Sequence, residues 1–134
     1  MPVYSSAEQL YATFDLLFKE VQTRDSKAAE KVQKAKVLIR FYLQDPEASI
    51  IINGRRNPAT ITFDDMRIRP EVDVKMSADT FHHIILGDER LSKSLANGSM
   101  KIRGPARKAL ALADLFKQCQ DLYPEILREQ GIEY

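Results

Sequence analysis

The chain has 134 residues, 20 basic and 19 acidic, for a formal net charge of +1, with 44% hydrophobic residues and one cysteine. One domain of this length buries about two-thirds of the surface its unfolded chain exposes. Near-neutrality removes the electrostatic case for nucleic acid as a partner, and the lone Cys119 excludes a disulfide scaffold. No window reaches the ~18 consecutive apolar residues of a membrane span. Met1-Pro2-Val3-Tyr4-Ser5 has neither the basic start nor the apolar core of a secretory signal, and Gly131-Ile132-Glu133-Tyr134 is not a peroxisomal address. The expectation is a soluble cytoplasmic protein.

In chain order, Ser5 and Glu8 have capping-box spacing, and Leu10, Phe14, Leu17, Phe18 and Val21 form an apolar stripe. Arg24-Asp25-Ser26 interrupts it, and Ala28, Val32 and Ala35 predict a second short helix ending near Lys36. Val37, Ile39, Phe41 and Leu43 then alternate as one apolar face of a strand. Asp45-Pro46-Glu47 turns the chain into a second strand from Ala48 to Asn53, and Ala59 to Phe63 makes a third. Val72, Val74 and Met76 alternate with Asp73 and Lys75 as a fourth. Ser77 is placed to cap a helix carrying Phe81, Ile84 and Ile85, which Gly87 stops. Leu91 and Leu95 mark a short helix ended by Asn97-Gly98, and Met100 with Ile102 marks a fifth strand. Gly104-Pro105 opens one long final helix. The sum is an α+β fold: a five-stranded, mostly antiparallel sheet with one face covered by helices and the other solvated.

The stretch carrying Pro70-Glu71-Val72-Asp73-Val74, Met76-Ser77-Ala78-Asp79-Thr80-Phe81-His82, Leu86-Gly87 and Ser94-Leu95-Ala96-Asn97-Gly98-Ser99-Met100-Lys101-Ile102-Arg103-Gly104-Pro105 resembles the sterol carrier protein family, in particular its bacterial stand-alone branch. Glu71 and Ser94 depart mildly from that pattern, and the resemblance spans roughly residues 35–123. It implies a single lipid-binding domain over 1–134, with an N-terminal helical segment at 1–35, a sterol-carrier-like core at 36–123 and a C-terminal tail at 124–134. It also implies an apolar tunnel between sheet and helices. The expected lining is Phe81, Ile84, Ile85, Leu91, Leu95, Met100, Ile102, Leu112, Leu115 and Phe116, with Phe41, Phe63 and Met76 from the sheet. The last helix has more apolar surface than one core stripe needs, which suits a tunnel wall or burial on two sides.

The polar candidates have plainer readings. His82 and His83 point about 100° apart on a helix and do not chelate one ion together. Cys119 falls at an apolar position of the last helix, where a small hydrophobe is ordinary. Asn97-Gly98-Ser99 is a helix end and turn. Arg55-Arg56 with Arg67 and Arg69 place four guanidiniums on two loops, as solvated charge or as contacts to lipid phosphate. No nucleophile–base–orienter set emerges, so no enzyme activity and no cofactor are expected.

The functional expectation is a non-catalytic carrier that shields a fatty acid, acyl-CoA, phospholipid, sterol or isoprenoid. Its affinity would come from apolar area at about 0.8 kcal/mol per buried methylene, which discriminates little between chains. The alternative is an accessory protein that presents a lipid or prenyl-quinone to a lipid-modifying enzyme complex. The expected partners are the lipid ligand, a transient membrane contact, and a second copy or an enzyme docked through the N-terminal helices.

Overall fold

The computed structural model describes residues 2–24, 30, 33–56, 59–65, 67–109 and 112–134. Its elements are α1 (Ala7–Arg24), β1 (Leu38–Gln44), β2 (Ala48–Asn53), β3 (Thr60–Phe63), β4 (Val72–Ser77), α2 (Ala78–Leu86), α3 (Leu91–Ala96), β5 (Met100–Arg103), α4 (Ala106–Ala109) and α5 (Ala113–Glu129). The five strands form one sheet in the order β3-β2-β1-β4-β5. Three of its four pairings are antiparallel, and β1 with β4 is parallel.

Register makes the inner face. Ile61, Ile52, Ile39 and Val72 lie in one row, and Phe63, Ile50, Phe41, Val74 and Ile102 in the next. Ala48, Leu43, Met76 and Met100 complete a third. The period of two sends every one of these side chains to the same side, where α1, α2 and α5 cover them. The stripe of α1 is buried as its spacing demands, with Leu10, Phe14, Leu17, Phe18 and Val21 all in the core.

The helix ends show how local chemistry fixes the path. Ser77 is extended, and its hydroxyl accepts from the Thr80 N–H, so the cap read from the sequence is present. Gly87 closes α2 at φ 94°, a left-handed conformation that glycine adopts without a Cβ penalty. At the start of α1 the cap lies one residue later than its spacing suggested. Ser6 Oγ accepts from the Gln9 N–H, and Gln9 Oε1 accepts from the Ser5 N–H, so Ser6 and Gln9 replace Ser5 and Glu8.

One further expectation falls outside the described residues, and two are only partly matched by them. The second short helix before Lys36 falls mostly on residues 25–29 and 31–32, outside the described residues. The one long helix after Gly104-Pro105 is described as two segments, α4 and α5, with residues 110–111 outside the description. The segment set apart as a tail over 124–134 continues α5 to Glu129 and buries Ile126, Leu127 and Ile132 in the core.

The outer face is not simply solvated either. Its central row is Thr62, Ile51, Arg40, Asp73 and Arg103. The segment from β3 to β4 must travel from one sheet edge past β2 and β1, and it crosses this face. Arg40 Nη1 donates to the Ile68 carbonyl, and the Glu71 N–H donates to the Leu38 carbonyl. Ile51, beside Arg40 in that row, is fully buried although it points away from the helices, as a residue under a crossing segment would be.

Candidate functional site: the apolar layer between sheet and helices

The layer is built from aromatic side chains delivered by four elements. Phe41 on β1 lies 5.2 Å from Phe81 on α2 and 5.7 Å from Phe116 on α5, ring centre to ring centre. Phe81 lies 5.0 Å from Phe14 on α1 and 6.2 Å from Phe116. Edge-on and tilted rings at these distances are in favourable contact.

Nine of the thirteen expected lining residues are buried in this cluster: Phe41, Met76, Phe81, Ile84, Ile85, Met100, Leu112, Leu115 and Phe116. Phe63, Leu91 and Ile102 are half-buried and pack against it, Phe63 with its ring 5.1 Å from that of Tyr11. Leu95 stands apart. It is 45% exposed on α3, a six-residue helix with no side-chain N-cap, of which only Ser94 is buried. Ser94 Oγ donates to Glu89 Oε1, which ties the helix to the turn before it.

A titratable polar group sits inside this apolar layer, and the sequence marked it only as a helix residue that does not chelate with its neighbour. His82 is fully buried, and its Nδ1 shares a hydrogen bond of 2.6 Å with the Tyr123 hydroxyl. That hydroxyl in turn lies 2.5 Å from the hydroxyl of Tyr4. His82 Nε2 has no partner among the described residues. Burial, with the neighbouring His83, pushes the imidazole down to about 4, so it is neutral at pH 7. Burial drives the ionisation of Tyr4 and Tyr123 upward, so both hydroxyls keep their protons. The trio joins the N-terminal segment, α2 and α5 through neutral hydrogen bonds.

The remaining candidates separate. His83 is half-exposed and faces Asp88 at 3.0 Å, so the two histidines share no site. Cys119 is buried, and burial pushes its thiol up to about 12, where it has no nucleophilic thiolate at neutral pH. Arg55 pairs with Glu71 at 3.0 Å, while Arg67 and Arg69 lie on the segment crossing the outer face. Among the described residues no three His, Cys, Asp or Glu side chains gather as metal ligands. No helix among them is long and apolar enough to cross a membrane.

Comparison with known proteins agrees with this layout. No match was found among curated proteins. Solved structures share the fold. A sterol carrier protein 2 of Yarrowia lipolytica in its apo form is 19% identical and aligns over 78% of this chain and 88% of its own, with a TM-score of 0.62. The sterol carrier protein domain 2 of Helicoverpa armigera is 20% identical over 84% and 89%, with a TM-score of 0.65. The ubiquinone synthesis protein UbiJ-SCP2 is 15% identical over 81% and 91%, with a TM-score of 0.58. The model of the SCP-2 sterol transfer family matches residues 18–117, and the chain belongs to that family.

Proposed function

We propose that this protein, acting as one unit over 1–134, is a non-catalytic cytoplasmic carrier that holds the apolar chain of a lipid in the layer between sheet and helices. Membership of a family of lipid-binding and transfer domains supports the class of ligand. The observation that carries the site is the continuous packing of apolar side chains in the layer from Phe63 to Phe116, in which the polar groups of His82, Tyr4 and Tyr123 are neutral and hydrogen-bonded to one another. Its rings touch one another, so the chain of a ligand enters by displacing side chains. Phe41, Met76, Ile84, Ile85, Met100, Ile102, Leu112, Leu115 and Phe116 form the wall, with Phe81 at its centre. Phe63 closes one end, and Leu91 with exposed Leu95 on α3 forms the mouth.

Such a wall ranks ligands by apolar area and discriminates weakly between a fatty acyl, sterol or isoprenoid chain. Displacement of a fluorescent fatty acid tests the reading. Saturable binding lowered by Leu115→Ala is expected, and failure to bind any fluorescent acyl or sterol probe would overturn it.

A second reading is favoured by one finding: the similar fold of UbiJ-SCP2, whose description is that of a ubiquinone synthesis protein. In that reading the carrier presents a prenyl-quinone to a lipid-modifying enzyme. The apolar face of α1 is consumed by its own core, so a partner enzyme or second copy would meet its polar side, where Asp15–Lys19 and Glu20–Arg24 pair. Co-purification of an enzyme of quinone assembly, lost when those pairs are reversed in sign, is the expected result.

A further inference from the structure

The outer face of the sheet holds an open groove of about 310 Å³ lined by Arg40, Arg67, Arg69, Glu71, Asp73 and Arg103 with Ile68 and Pro70. Its two carboxylates are already engaged. Asp73 accepts two hydrogen bonds from Arg40, at 2.6 and 3.3 Å, and Glu71 holds Arg55 and Lys108. Arg40 spends its third contact on the Ile68 carbonyl, so it positions the crossing segment.

The three rim arginines are differently placed. Arg69 and Arg103 are exposed and have no acidic partner within 4 Å among the described residues. Arg67 is 96% exposed, with Asp65 at 3.6 Å. A second feature of the same face agrees. Lys75 and Lys101 are directly opposed on β4 and β5, both exposed. Like charges facing each other across antiparallel strands cost stability. Lys75 is partly satisfied, its Nζ lying 5.9 Å from the centre of the Tyr42 ring, whereas Lys101 has no acidic partner within 4 Å among the described residues and keeps its charge for something outside the fold.

The geometry points to this face as a docking surface for an anionic phospholipid bilayer, with lipid phosphate seated among Arg67, Arg69 and Arg103. Charge complementarity selects the occupant. Cations extend from the groove along β4 and β5, wider than one small phosphate would use, and the protein as a whole is nearly neutral. Arginine suits phosphate because its planar fork donates two hydrogen bonds to adjacent oxygens. The choice of a bilayer over other polyanions rests on the lipid-carrier reading. The groove lies on the face opposite the apolar layer, so docking here leaves that layer free.

Flotation of the full chain with vesicles tests it. Binding is expected to mixed phosphatidylcholine–phosphatidylglycerol vesicles and not to phosphatidylcholine alone, and it should weaken as salt rises. Arg67→Gln, Arg69→Gln and Arg103→Gln should each weaken it about fivefold. Lys117→Gln, an equal loss of charge at an exposed position of α5, should leave it unchanged. Uptake of fluorescent fatty acid without vesicles, measured on the same variants, should stay at wild-type level, which separates failure of the docking surface from failure of the carrier. Equal binding to both vesicle types, or wild-type binding by the three arginine variants, would overturn the assignment. So would tight binding of glycerol phosphate or a single-stranded oligonucleotide without any binding to vesicles.

Discussion

At the scale of single residues, position relative to the apolar layer decides what a substitution costs. Ile39 and Phe14 are fully buried, with neighbours on every side. Ile39→Ala and Phe14→Ala should each lose ~2–5 kcal/mol in urea unfolding, because the hole stays unfilled. Leu115 is expected to cost less and to change fatty-acid affinity, since a wall that a ligand displaces has room to relax. Phe81, at the centre of the proposed wall, is ringed by Phe14, Phe41 and Phe116, so its truncation should cost as much stability as a core change and alter fatty-acid affinity as well.

His82 provides a pH test at the same scale. Its folded value near 4 lies below the ordinary 6.5, so the unfolded chain binds the extra proton first. Stability is therefore complete above pH 6.5 and falls as pH drops from 6.5 toward 4, by on the order of 2 kcal/mol from this group. Unfolding at pH 7 and pH 5 should show that loss in the wild type and a smaller one in His82→Gln. Equal losses would mean the histidine is not desolvated as described.

At the scale of elements, what was legible was what is local. The alternation of β1 and β4, the Ser77 cap and the Gly87 stop are each written within a few residues, and the structure repeats them. The outer groove was not legible. The loop arginines were visible as charge, but their meeting with Arg40 and Arg103 depends on β4 lying parallel to β1 and on the segment that crosses between them. The hydrogen-bonded trio was hidden for the same reason, since Tyr123 is 41 residues from His82 and 119 from Tyr4.

Gly104 shows a constraint of this non-local kind. At φ 105° a Cβ there would come within 2.3 Å of the Glu71 carbonyl oxygen, a backbone atom with nowhere to move. Gly104→Ala should thus destabilise by roughly 1–3 kcal/mol, the range of an overpacked site. Helix α3 is lightly anchored, with Ser94 buried and Leu91 half-buried against the core. Its amides should exchange with solvent at least about tenfold faster than those of Phe81–Ile85 in α2, and a bound lipid should slow them.

At the scale of the whole molecule, one sheet carries two unlike faces. The inner face supplies Ile, Val, Phe and Met rows to a layer closed by α1, α2 and α5. The outer face supplies cations and a groove. The family match covers residues 18–117, yet the core continues through Leu127 and Ile132 and begins at Tyr4, so both ends help to close the layer. That closure is why a lipid inside would be shielded from water, and shielding is the central claim. Native mass spectrometry of freshly purified protein, followed by identification of lipid in its extract, tests it most directly. One apolar molecule per chain is expected, released on denaturation and exchanged for added fatty acid. A bare chain under gentle conditions that takes up no added fatty acid, sterol or isoprenoid would contradict it.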